Sequence, residues 1–220
     1  MREIILDTET TGLDPKSGHR IVEIGCVELI NHLPTGRTYQ QYVNPERDMP
    51  EGAFAVHGLS ADFLTGFPTF AAVADDFLAF IGDDPLVIHN ADFDMGFVNA
   101  ELTRLGRPPL PMPRAVDTVR MARTKFPGAQ ASLDALCRRF SVDNSDRQLH
   151  GALKDADLLA RVYLELIGGR QPGLELARAG RVSTTTDQPI RAPRAHAPTP
   201  AELATHEAFL WKLKDPVWRQ

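Results

Sequence analysis

The chain has 220 residues, 43% of them hydrophobic, and a formal net charge of −5. That length fills one domain plus appendages, and no apolar run approaches the length needed to cross a bilayer. Five Arg against Glu175 and Asp187 over residues 168–200, with a balance over 201–220, leave residues 1–167 at −8. So acidic a domain is a poor electrostatic trap for nucleic acid, because that affinity comes mainly from Lys and Arg on phosphates.

The N-terminus runs from Met1 straight into Ile4-Ile5-Leu6, a short buried strand with no signal peptide before it, which predicts a cytoplasmic protein. Partial alternation from Ile21 to Ile30 predicts a second strand, and Arg37 to Val43 a third. Pro68 and Thr69 open a helix to Ile81, with Phe70, Val73, Phe77 and Phe80 at helical spacing. Leu86-Val87-Ile88 reads as another buried strand. A helix is expected from Asp94 to Leu105, stopped by Gly106 and Pro108. Ala115-Val116 is a short strand and Thr118 to Phe126 a helix. Ser132 caps a helix to Phe140, and Ala152 to Ile167 carries the clearest apolar stripe. Three leading strands followed by alternating helices and strands define an α/β fold with a mixed sheet flanked by helices. Cys26 and Cys137 lie far apart in apolar patterns without metal-ligand spacing, as buried free thiols do.

The character changes at Gly168. Residues 168–200 hold five Pro, four Gly and no aromatic residue, too little for a core. The chain therefore divides into a domain over 1–168, a flexible linker over 169–198 and a tail over 199–220. The tail opens with Thr199, Pro200 and Glu202, a capping box with Pro in the first turn. The helix that follows carries Leu203, Leu210 and Leu213, and both tryptophans, Trp211 and Trp218, lie here.

Four acids and one histidine carry the chemistry. Asp7 and Glu9, in Asp7-Thr8-Glu9-Thr10-Thr11-Gly12, are two apart on a strand and share a face. Two carboxylates pointing one way repel unless a cation sits between them. The two threonines and Gly12 offer hydroxyls and close backbone approach. His89-Asn90-Ala91-Asp92-Phe93-Asp94 follows a buried strand and opens a helix. Asp92 reads as the N-cap, Asp94 as a first-turn acid that turns toward the strand end, and His89 as a packed or hydrogen-bonded histidine. His150 and Asp155 cannot share a helix face, since five residues rotate by ~500°. His150 therefore precedes the helix, on a loop with Gly151, and Asp155 sits on it. Oxygen donors in this number, with a titratable imidazole, suit hard divalent cations and phosphoryl chemistry.

In this order the three motifs resemble the 3′–5′ exonucleases that use four acids and a histidine, which share the ribonuclease-H-like fold. Val56-His57-Gly58-Leu59, Phe126-Pro127-Gly128, Ser132 to Cys137 and Leu149 to Leu153 resemble more narrowly the proofreading-subunit family of bacterial DNA polymerase III, as does Glu202 to Glu207. The resemblance implies a mixed five-stranded sheet. It also implies two Mg²⁺ or Mn²⁺ ions ~3.5–4 Å apart, bound by Asp7, Glu9 and Asp155, with Asp94 completing the site and His150 as the base. The terminal nucleotide would lie against Asp7, Thr8, Glu9, His57 and Asp155. Glu51, one residue out of the family's register, would be a further contact. The products would be nucleoside 5′-monophosphates from single-stranded or frayed DNA 3′ ends. Gln171, Leu174 and Leu176 resemble a sliding-clamp-binding peptide. Leu203, Leu210, Trp211 and Trp218 would dock on the polymerase (alpha) subunit, placing the protein in the nucleoid-associated replisome, with room for a small third core subunit. A nuclease acting on RNA ends, a non-catalytic scaffold and a structural metal module are the competing readings.

Overall fold

The computed structural model describes residues 1–145, 149–168 and 197–213. The chain separates into two units, residues 1–175 and 176–220.

In the first unit the sheet is built from β1 (Arg2–Thr10), β2 (Ile21–Ile30), β3 (Leu33–Tyr42), β4 (Leu86–Ile88) and β5 (Ala115–Asp117), in the order β3-β2-β1-β4-β5. The three leading strands are antiparallel hairpin neighbours, while β4 and β5 run parallel to β1. The helices are α1 (Glu51–His57), α2 (Ala61–Leu64), α3 (Phe70–Ile81), α4 (Ala91–Arg104), α5 (Thr118–Lys125), α6 (Leu133–Phe140) and α7 (Ala152–Leu166). This is the expected mixed five-stranded sheet between helical layers.

Strand alternation divides the core. Ile4 and Leu6 face one side with Ile24, Cys26, Leu86 and Ile88, where Phe70, Phe77, Ile81, Met95, Phe97 and Val98 of α3 and α4 cover them. Ile5 faces the other side with Val27, Leu29 and Val87, under Leu136, Leu159, Val162 and Leu166 of α6 and α7. Each such side chain contributes about 1.5–3 kcal/mol by burial. Cys26 and Cys137 are buried free thiols on opposite faces.

Sequence and structure differ at element edges. β1 extends to Thr10 because β2 pairs with it along its whole length, Thr10 included. α4 begins at Ala91, with Asn90 as N-cap in the left-handed region (φ 69°), a conformation Asn tolerates. Asp92 is therefore not the cap but lies with Asp94 in the first turn. α1 and α2 were not expected from the pattern.

The described part of the second unit is one helix, α8 (Pro200–Leu210). Its capping box forms as expected: Glu202 N–H donates to Thr199 Oγ1 at 3.3 Å, and Glu202 Oε2 accepts the Thr199 N–H at 2.8 Å. Most of the expected linker, with Gln171, Leu174 and Leu176, lies outside the described residues, as does Trp218. No helix among the described residues is long and apolar enough to cross a membrane.

Candidate active site

The parallel pairing of β1 with β4 stops at Leu6 and Ile88. Beyond that point β1 has β2 on one edge only. On its other edge the chain leaves β4 through His89 and Asn90 into α4. The Thr8 N–H, deprived of a strand partner, donates instead to Asp94 Oδ1 at 2.9 Å, and the Thr8 hydroxyl donates to the same oxygen at 2.7 Å. Asp94 is thereby fixed against the residue between Asp7 and Glu9.

From the other face comes the N-terminus of α7. It lies directly on β2, because Gly25 leaves no Cβ; one built there would sit 2.2 Å from the Ala152 carbonyl carbon. Asp155, in the first turn of α7, is thus carried over the strand residues that pair with Asp7 and Glu9, namely Gly25 and Glu23. His150 lies just before the N-cap Gly151, as the spacing requires, and its N–H donates to the Val56 carbonyl at 3.1 Å.

These elements converge on a cavity of about 320 Å³ lined by Asp7, Thr8, Glu9, His89, Phe93, Asp94, Ser132, Leu133, Asp134, His150 and Asp155. All four acids and the histidine identified from sequence are in it. One ligand atom from each of Glu9, His150 and Asp155 falls within a 4.8 Å cluster, the spacing of a shared cation. His150 Nδ1 is 3.2 Å from Asp155 Oδ2. Glu9, Asp94 and Asp155 are buried, whereas the His150 side chain is about half exposed. Burial pushes the Asp94 carboxyl up to about 7, against the pull of the Thr8 hydrogen bonds. Buried hard oxygen donors beside an imidazole fit a divalent cation, which would offset the cost of their mutual repulsion. His89 lines the cavity and its Nδ1 lies 2.9 Å from Thr118 Oγ1, the hydrogen-bonded role expected of it.

A groove of about 700 Å³ adjoins the cavity, sharing Thr8, Glu9 and Phe93 with it. Its walls are Thr10 to Asp14 and, from α1, Gly52, Ala53, Val56 and His57. His57 is buried; its Nδ1 accepts the Leu59 N–H at 3.0 Å, and desolvation lowers its pKa. The imidazole is therefore neutral near pH 7, with Nε2 carrying the proton. Glu51 is exposed at the start of α1; its neighbours Pro50 and Gly52 line the groove, and it does not. The threonine hydroxyls expected to cradle a ligand are committed internally. Thr10 Oγ1 donates to the Gly12 carbonyl, and Thr11 Oγ1 meets His19 and accepts the Arg20 N–H. Gly12 serves the packing of His19, whose ring lies 2.3–2.5 Å from where a Cβ would stand. A larger groove, about 860 Å³, runs along α5 away from the acids.

Sequence reasoning missed Glu23. It is buried, its Oε2 accepts the Ala152 N–H at 3.1 Å, and its Oε1 accepts from Gln40 Nε2 at 2.8 Å. The signal was an acid inside the otherwise apolar Ile21 to Cys26 run.

Fold and site together define a nuclease of the ribonuclease-H-like class. The family described as exonuclease matches residues 4–163. The chain superposes on the nuclease domain of 3′hExo bound to rAMP, a DEDDh family member, with a TM-score of 0.65 at 23% identity over 76% of this chain and 91% of that one. Exonuclease X in complex with 5′-overhanging duplex DNA gives 0.60 at 26% identity, covering 75% and 90%. The DNA polymerase III subunit epsilon of Rickettsia felis is 53% identical over 222 residues, 96% of each chain. That of Escherichia coli is 43% identical over 225 residues, 95% of this chain and 92% of the relative. The chain belongs to the exonuclease family and, within it, to the epsilon subunits of DNA polymerase III.

Proposed function

We propose that this protein removes nucleotides from DNA 3′ ends at the Asp7–Glu9–Asp94–Asp155 site, as the proofreading subunit of a replicative polymerase. The observation that carries this is the convergence of four acids and His150 from three separate segments on one cavity beside a nucleotide-sized groove.

Asp7, Glu9 and Asp155 would hold two divalent cations, Mg²⁺ or Mn²⁺, with Asp94 completing the set. Bound there, such ions supply charge neutralisation at the phosphoryl group and acidify a coordinated water. The protein's own groups do the rest. An Nδ1–H donated to Asp155 leaves His150 Nε2 as the basic nitrogen, on a side chain open enough to reach a water. Thr8 latches Asp94 and places its neighbours Asp7 and Glu9. His57, Val56 and Ala53 would form the wall against which the terminal nucleotide lies, the His57 Nε2 itself being buried behind that wall until the groove opens. Glu51 reaches a substrate only if α1 shifts on binding. Hydrolysis leaves a 3′-hydroxyl on the shortened strand and a nucleoside 5′-monophosphate.

The −8 charge of residues 1–167 argues that a partner delivers the DNA. Leu203 of α8 is 53% exposed and Trp211, just after it, 74%, while Leu210 is buried. Exposed Leu203 and Trp211 suit an interface anchor, and we assign them to the polymerase (alpha) subunit, together with Leu210 and Trp218 on the sequence resemblance alone. Residues 171–176 are assigned to the sliding clamp on motif alone, and the nuclease unit remains available to a small third core subunit.

The test is a single-stranded oligonucleotide labelled at one end or the other. A 3′ label should leave at once as a mononucleotide, while a 5′ label should persist in a descending ladder. Immediate release of the 5′ label would overturn the polarity.

A further inference from the structure

The N-terminus of α7 has no side-chain cap of its own, since Gly151 occupies the N-cap position. Its first turn nevertheless carries the chemistry, with Asp155 inside it and His150 immediately before it. The first N–H groups of a helix need partners. Here the Ala152 N–H donates to Glu23 Oε2, a residue of β2 that is 129 positions away in sequence and only 2% exposed. Glu23 is in turn held by Gln40 of β3. It pairs across the sheet with Glu9. Two carboxylates directly opposite one another are unfavourable, so a second acid beside Glu9 needs a compensating reason to be there. The helix N-terminus supplies it, as a positive dipole end and a donor.

His150 is pinned on both sides. Its own N–H is bound to Val56, and two residues on, Ala152 is bound to Glu23. We propose that Glu23 is a positioning residue for hydrolysis. Its carboxylate fixes the first turn of α7 on β2 and so sets where Asp155 and His150 stand relative to Asp7 and Glu9. The role rests on the reading of that cavity as the active site. What Glu23 provides is an acceptor at a fixed place, and its charge is secondary. A neutral isostere therefore serves and a truncation does not.

The experiment compares Glu23→Ala and Glu23→Gln, each alone and combined with His150→Ala, by steady-state hydrolysis of a single-stranded oligonucleotide well below the unfolding temperature. Glu23→Ala should lower kcat by ~10–10²-fold, the scale of ångström misplacement, with KM within about threefold. Glu23→Gln should recover most of the rate, because its amide oxygen still accepts from Ala152 while the Gln40 amide turns over. In the His150→Ala background the Glu23→Ala loss should shrink, since groups acting through one another are not additive. A general loss of folded structure would instead multiply through both backgrounds. Wild-type kcat in Glu23→Ala overturns the proposal. So does a folded Glu23→Gln protein tenfold or more slower than wild type, a result that is readable even if the alanine variant does not fold. Full activity of His150→Ala alone would overturn the base assignment, while the Glu23→Ala and Glu23→Gln rates in otherwise wild-type protein still decide the positioning role.

Discussion

The Asp94 carboxylate accepts two hydrogen bonds from Thr8, one from its backbone N–H and one from its hydroxyl, through a single oxygen. α4 is thereby latched to the strand residue that separates the two acids of β1. The latch explains how a carboxylate this deeply buried is tolerated. It also places one acid from the far side of the sheet among the acids on the near side.

Removing metal should therefore reveal a pH-dependent strain at Asp94. Its folded pKa, about 7, lies above the ordinary carboxylate value. A raised pKa stabilises the fold fully below the unfolded value of ~3.9, and that stabilisation is lost as pH rises to about 7. In excess chelator, Asp94→Asn should keep both Thr8 hydrogen bonds through its amide oxygen and carry no charge. Its unfolding temperature should exceed that of wild type by a margin that grows between pH 4 and 7. A constant difference across that range would contradict the assignment.

Asp94 and Asp92 should separate cleanly in activity. Asp94 lines the acid cavity, whereas Asp92 lines grooves on its α5 side. Asp94→Asn should lower turnover by roughly 10³-fold, the several kcal/mol that charge stabilisation supplies. Asp92→Ala should stay within a few-fold of wild type. Single-turnover rates on one oligonucleotide decide it, and equal losses would sink the distinction.

His150 clusters with Glu9 and Asp155 closely enough to be a ligand itself, which sets a test between ligand and base. As the base, its replacement by Ala should cost ~10²–10⁴ in turnover and abolish the acidic limb of the pH–rate profile, with metal affinity nearly unchanged. Calorimetric titration with Mn²⁺ reads the second quantity. A weakening of tenfold or more would make His150 a ligand.

Deleting residues 199–220 should leave hydrolysis of free single strands unchanged, because every residue of the acid cavity lies between 7 and 155. The same deletion should abolish co-elution with the polymerase subunit. Leu203→Ala with Trp211→Ala should weaken it, those two side chains being exposed on or just after α8. Undiminished co-elution of the deleted protein would move the tether elsewhere.

Much of this was legible in the amino-acid order because the informative residues are short-range patterns. Asp7 and Glu9 alternate on a strand, and His150 and Asp155 straddle a helix start. What stayed hidden depends on contacts distant in sequence. α1 has only His57 buried, so it shows no apolar stripe. The N-cap of α4 fell on Asn90 in a left-handed conformation that composition does not announce. The hydroxyls of Thr10 and Thr11 looked available until the turn that occupies them was seen. Glu23 resembled an ordinary strand position until α7 was laid across β2.

Hydrolysis at the four acids should require a divalent cation, and the most direct measurement follows mononucleotide release from a 3′-labelled primer with a mismatched end. Protein stripped with excess chelator should release nothing. Adding Mg²⁺ or Mn²⁺ should restore release in wild type and not in Asp7→Ala or Glu9→Ala, both folded by circular dichroism. Undiminished release in chelator, or full restoration in either variant, would contradict it.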